Sequence, residues 1–165
     1  MTGQVRTAIA ARLRDAGLAA VCAYEQETLR HYGTSVTVIG ARETRIERAG
    51  LLDYLGTSDP RGGEDAREIY GRKLALTLSA DVYTPRELGC ADGEQTAESV
   101  TEVLLDALPE ALRVSRIVWG RSAWDTRSGM FLLPGSVECT ALYTAEVRPD
   151  ETVLHRFILK GEVSE

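Results

Sequence analysis

The sequence predicts an α+β fold: a mainly antiparallel sheet with two principal helices packed on one face. Three observations carry that prediction. In Lys73–Pro85, Leu74, Leu76, Leu78, Ala80 and Val82 alternate with Ala75, Thr77, Ser79, Asp81 and Tyr83. That period of two marks a strand with one buried face, here the centre of the sheet. Only two segments carry clear helical spacing. The last third of the chain reads as hairpin-linked strands.

Taken in order, Gln4–Ala16 is the first helix, with Val5, Ala8, Ile9 and Leu13 on one face. Thr2 is placed to cap its start and Gly17 to end it. Ala19–Tyr24 is short and apolar, a first strand or an extended connector. Glu25–Thr34 is polar and has no clear period. Val36–Ile39 and Glu43–Glu47 read as two short strands, with Gly40-Ala41 as a hairpin or bulge between them. Gly50–Gly56 is a compact apolar turn, expected to pack on a neighbour. Thr57–Gly63 clusters Pro, Gly and Asp, which marks a surface loop. Together with Glu64–Gly71 it forms a long connection, expected to be mobile over about 56–70 or to contact a partner.

After the central strand, Arg86–Gly93 reads as a loop with two glycines. Gln95 or Thr96 then opens the second helix, whose stripe is Ala97, Val100, Val103, Leu104, Ala107 and Leu108. Pro109 ends it. Its other side carries Glu94, Glu98, Glu102 and Asp106, each four residues apart. Like charges at that spacing repel by about 0.2–0.5 kcal/mol per pair. Such a ladder is either simply solvated or matched by cations, from the first helix (Arg6, Arg12, Arg14) or from a neighbouring subunit. Val114–Trp119 is the next strand. Ser122–Trp124 and Met130–Leu133 flank Asp125–Gly129, an aspartate-to-glycine hairpin loop. Pro134-Gly135 turns the chain into a long strand with Val137, Cys139, Ala141, Tyr143, Ala145 and Val147 inward. Pro149-Asp150 is a turn, Val153–Leu159 a last strand, and residues 161–165 a polar tail.

The chain has 165 residues, 44% hydrophobic and 27% charged, which fits one domain able to bury a core without staples. No run of eighteen apolar residues exists, so no membrane contact is expected. The first helix lacks a signal-peptide core, so the expected place of synthesis is the cytoplasm. The net charge of −6 argues against a grip on nucleic acid by bulk charge.

No pattern of residues points to catalysis, a cofactor or a metal. Cys22, Cys90 and Cys139 are far apart in sequence, unlike a zinc motif or a disulfide framework. Cys139 alternates inward and reads as a small buried hydrophobe. His31 lies in a polar segment and reads as a surface residue. His155 is in phase with Val153 and Phe157 and reads as a packed or edge histidine. Gly62-Gly63 lacks the glycine and lysine pattern of a phosphate loop. Trp119, Trp124 and Tyr143 lack the interleaved cations of a single-strand stacking surface, so packing is the better account.

The passage from LTLSADVYTP through a loop into AESVTEVLLDAL, followed by IVWGRSAWDTRSGMFLLPGSVECTALYTA, resembles the tail-terminator, or tail-completion, proteins of tailed phages and prophages. The likeness is one of layout over nearly the whole chain. It implies a non-enzymatic virion protein without cofactors. Subunits would form a ring, commonly of six, that caps the tail tube and joins it to the head connector. Partners would then be further copies of the chain, tail-tube proteins and head-connector proteins. Ring closure requires two complementary side surfaces on each subunit. The ladder Glu94, Glu98, Glu102 and Asp106 and the set Arg113, Arg116, Arg121 and Arg127 are the candidate contacts. Net negative charge would let DNA pass through such a ring without sticking. Two other readings stay open: another minor tail, head–tail connector or baseplate component, and a small α+β enzyme or ligand-binding domain.

Overall fold

A computed structural model of the protein describes residues 2–22, 26–58, 67–106 and 112–147. Its elements are α1 (Thr2–Asp15), β1 (Ala19–Val21), α2 (Gln26–Leu29), β2 (Val36–Arg48), β3 (Tyr54–Thr57), β4 (Glu68–Thr84), α3 (Gly89–Asp106), β5 (Leu112–Trp119), β6 (Ala123–Asp125), β7 (Met130–Leu133) and β8 (Gly135–Val147). The strands form one eight-stranded sheet in the order β1-β2-β4-β7-β6, with β3 and β8 also on β4 and β5 on β8. The pair β1–β2 is parallel, whereas β3–β4, β4–β7 and β6–β7 are antiparallel. The fold is therefore α+β and dominated by its sheet. Strand β4 pairs with β2, β3, β7 and β8, which makes it the centre. Its alternating set Leu74, Leu76, Leu78, Ala80 and Val82 is buried throughout.

The chain gathers into two compact units. One takes the described residues within Met1–Thr44, Leu76–Leu108 and Val114–Cys139. The other takes those within Arg45–Ala75, Pro109–Arg113 and Thr140–Glu165.

In the first unit, α1 buries Val5, Ile9, Ala10 and Leu13 and packs on β1 and α3. Thr2 lies inside this helix instead of capping it, its hydroxyl 3.3 Å from that of Thr44. Gly17 does end it, at φ +84, where Gly17 N–H donates to the Arg14 carbonyl and Leu18 N–H to that of Leu13 (2.8 and 2.9 Å). This paired closure suits a residue free to adopt the left-handed region. Helix α3 buries Gly93, Ala97, Val100 and Leu104 and packs on β7. It starts at Gly89, so most of the loop expected over Arg86–Gly93 is its first turns. Its predicted end at Leu108-Pro109 lies outside the described residues.

At the end of β4 the face away from the two principal helices is covered as well. Val82 pairs with Leu133 and Tyr83 with Leu132 in the β4–β7 register, so the two pairs point to opposite faces. Val82 and Leu133 cluster with Ala97 of α3 and with Trp119. Tyr83 clusters with Leu29, Val36, Val38 and Met130, flanked by Tyr32 and Leu132. A single turn, α2, thus roofs the second face through Leu29, which is 1% exposed. A lone leucine in a polar stretch has no period to reveal it.

The two short strands expected around Gly40 are one strand, β2. A Cβ at Gly40 would lie 2.5 Å from the Ser79 Oγ, so this glycine permits close strand contact instead of a turn. Thr37, within β2, is fully buried, and its hydroxyl has no hydrogen-bond partner among the described residues. An unmet buried polar group costs about 1–3 kcal/mol. Thr37→Val, similar in shape, should raise the midpoint of thermal unfolding; a lower midpoint would show that the hydroxyl is satisfied.

Asp81 of β4 accepts from Arg42 Nη2 at 3.3 Å and from Gly135 N–H at 3.2 Å. Burial raises its pKa, and the Gly135 N–H, Arg42 and Ser79 offset this only in part. The folded state therefore takes up a proton before the unfolded chain does as pH falls. Stability contributed by this group should rise as pH drops through the raised pKa toward the ordinary aspartate value. Asp81→Asn should flatten that part of the stability–pH curve, measured by urea unfolding; an unchanged slope would contradict the assignment.

In the second unit, Leu51–Asp53 forms a 3-10 turn before β3. Ser58 N–H donates to the Arg67 carbonyl at 2.8 Å, which closes the β3–β4 hairpin. The long connection is thus shorter than expected, since 56–57 and 68–70 are strand; residues 59–66 lie outside the described residues. The apolar turn packs on its neighbours through Asp53 and Tyr54 and not through its leucines: Leu51 and Leu52 are 86% and 74% exposed. Leu52 and Asp53 hold φ of 52 and 67, a strained region for non-glycine residues. Arg72 fixes the turn through Asp53 at 2.7 Å, and Tyr54 meets Tyr70 edge-on at 5.5 Å.

Candidate functional site

The residues that could act are those α3 carries outward. Their place follows from the stripe on its inner side. Once Ala97, Val100 and Leu104 are buried, positions 94, 98, 102 and 106 must face away. Glu94, Glu98, Glu102 and Asp106 are all exposed, and none forms an ion pair with a described residue. Beside them Leu105 is 64% exposed. Glu94 and Glu98 rim an open groove of about 330 Å³ whose floor is Ala97, Thr101, Trp119 and Leu133. The Trp119 indole N–H donates to the Thr101 hydroxyl at 2.9 Å, and that hydroxyl donates to the Ala97 carbonyl at 2.8 Å. These two bonds fix the ring against α3. The pairing of Trp119 with Thr101 has no signal in the spacing, because the two residues meet only across the strand–helix interface.

Arg113 belongs to the second unit. Arg116 pairs with Glu138 at 3.7 Å, both side chains well exposed, a contact worth about 0–1 kcal/mol. Arg121 is exposed and follows Gly120, which lines the groove with Glu94 and Glu98. Arg127 is at the far side of the β6–β7 hairpin, where its carbonyl accepts from Arg30 Nη2 at 2.7 Å. The arginines of α1 make no ion pair with the ladder among the described residues.

The hairpin itself forms as its residues predict. The Gly129 N–H donates to the Asp125 carbonyl at 2.9 Å, with Gly129 at φ +67. The Asp125 carboxylate accepts from Arg127 N–H, Ser128 N–H and the Ser128 hydroxyl at 3.2, 3.1 and 2.7 Å. Burial pushes its pKa up, but these bonds, with the Arg127 charge, outweigh it and leave the pKa lowered. Ser35, Thr84 and Asp92 form a second polar network: the Ser35 hydroxyl donates to Asp92 at 2.6 Å and lies 2.8 Å from the Thr84 hydroxyl. Because the Ser35 hydroxyl donates its one proton toward Asp92, Thr84 is the donor to Ser35. The network ties the start of β2 and the end of β4 to the first turn of α3.

Among the described residues, no group of three or more His, Cys, Asp or Glu could hold a metal ion. No described helix is long and apolar enough to cross a membrane. His31 is exposed, while His155, the last strand and the polar tail lie outside the described residues. Cys139 is buried, and burial pushes its thiol up to about 11. Cys22 and Cys90 are partly accessible. Iodoacetamide at pH 8 should therefore modify Cys22 and Cys90 in the folded protein and Cys139 only after unfolding, since the thiolate is the reactive form. Equal labelling of all three would contradict the burial of β8. No family model matches this chain, and no curated protein matches it.

Proposed function

We propose that this chain is a structural protein of a tailed phage or prophage, a tail terminator that assembles as a ring at the end of the tail tube. The layout of strand, helix and closing hairpins supports this reading by resemblance. The observation that carries it is the outer face of α3. Four carboxylates at helical spacing repel one another there without a described ion-pair partner, and Leu105 lies exposed among them. Such a face costs the monomer some stability and is relieved when a cationic surface covers it. The exposed Leu51 and Leu52, held on a strained turn, are a second surface of the kind contacts use.

In this role the protein offers shape and charge, and its partners are further copies, tail-tube proteins and head-connector proteins. Light scattering across protein concentration tests it. A defined multi-subunit species at low salt that dissociates at high salt is expected, because salt screens exposed charges. The same monomer at both ionic strengths would count against the reading.

A further inference from the structure

A second cavity, of about 480 Å³, opens beside the β6–β7 hairpin and is lined by Arg30, His31, Tyr32, Arg86, Glu87 and Met130, among others. Its charge balance is positive. Arg30 is fixed in place: Nε donates to the Ser128 carbonyl at 2.8 Å and Nη2 to that of Arg127 at 2.7 Å. Nη1 makes no bond to a described residue. The Arg86 guanidinium rests 5.8 Å from the centre of the Trp124 ring, a cation–π contact that limits its reach. Leu88 also lines the cavity, and α3 begins at the next residue. The helix therefore adds the partial positive charge of its N-terminal end. Against these stand Glu87 at the wall and Asp92 in the first turn of α3, the latter engaged with Ser35.

The position of this cavity matters as much as its charge. Met130 and Tyr32 belong to the cluster around Tyr83. Ala97, Leu133 and Trp119, which floor the acidic groove, belong to the cluster around Val82. Val82 and Tyr83 point to opposite faces of β4. The Tyr32 and Met130 side of the cavity thus lies on the face opposite the acid ladder, whereas Arg86, stacked on Trp124 across from Phe131, reaches the ladder's own face. Among the described residues no ladder carboxylate forms an ion pair with Arg30 or Arg86 within one subunit, so a second copy can supply the partner.

We propose that this cavity is a socket for carboxylates of a second copy of the chain, and that the ladder Glu94–Asp106 is what enters it. A contact between two different surfaces is heterologous, so it propagates head to tail and closes into a ring when the rotation permits. This inference rests on the assembly reading and replaces Arg113, Arg116 and Arg121 by Arg30, Arg86 and His31 as the complement of the ladder. Arg127, whose carbonyl holds Arg30, keeps its place beside the socket.

Two full-length variants test it by sedimentation velocity. The first, Arg86→Glu with His31→Glu, makes the socket acidic. The second, Glu98→Lys with Glu102→Lys, makes the ladder basic. Both change exposed side chains, and thermal melts establish that each is folded. Each alone should associate about tenfold or more weakly than wild type, because like charges now meet. Mixed in equal amounts they should associate again, since both contacts of an alternating ring are then attractive. Wild-type association in either variant alone, or no recovery in the mixture, overturns the socket and leaves the assembly reading standing. A wild-type protein that is monomeric throughout overturns both. Inorganic phosphate bound by wild type and lost in the first variant, with association unchanged, would assign the cavity to a free anion and also overturn the socket.

Discussion

Tyr83→Ala is expected to cost about 3–5 kcal/mol of folding stability, the range for removing a large aromatic from a closed core. Tyr83 is 2% exposed and is enclosed by Leu29, Val36, Val38 and Met130. Its removal leaves a void that α2 and β7 cannot both move to fill, because Arg30 anchors the end of α2 to the hairpin through two carbonyls. For a domain of this size the unfolding midpoint should fall by roughly 6–20 °C. Tyr83→Phe keeps the packing and should lose only a small part of that, which separates the ring from its hydroxyl. Trp124→Ala removes a larger ring at a site 42% exposed and should cost less than Tyr83→Ala. A loss under about 1 kcal/mol for Tyr83→Ala would mean that α2 does not close the second face.

Gly135→Ala is expected to be strongly destabilising for a single added methyl. A Cβ there would lie 2.5 Å from the Ala80 carbonyl oxygen and 2.5 Å from Cζ3 of Trp119. The carbonyl is backbone of the central strand and cannot turn aside, and the Trp119 ring is held by Thr101. Two constraints therefore meet the added atom, and overpacking of this kind costs about 1–3 kcal/mol or more. The same change should move Trp119 out of the groove and alter its fluorescence. It would also disturb the Gly135 N–H bond to Asp81 and the Arg42 bond to the Gly135 carbonyl. Gly33→Ala serves as the control, since nothing lies within 4 Å of the added Cβ. Denaturant unfolding of both variants checks the contrast; equal stability would contradict the close approach of β8 to β4.

What could be read from the sequence was what local chemistry decides. The alternation of Leu74 to Val82 identified the central strand because one strand face meets one environment. Asp125 and Gly129 identified their hairpin because each has a defined task in a turn. The exposure of Glu94, Glu98, Glu102 and Asp106 followed from the buried stripe opposite them. Glycine was the residue most often misread. At Gly40 and Gly93 it leaves room for the Ser79 and Thr84 side chains of β4, and nothing local separates that use from a turn. Leu29 was missed because one apolar residue has no period. The positive cavity leaves no trace in the sequence for a deeper reason. Arg30, His31 and Arg86 come from two distant segments, and only the fold brings them to one cavity.

The proposed role is to present charged surfaces to further copies of the chain. Negative-stain electron microscopy of the purified protein at low salt tests that most directly. Closed rings of uniform subunit number with an open centre are the predicted images. Fields of isolated single subunits at every concentration examined would contradict it.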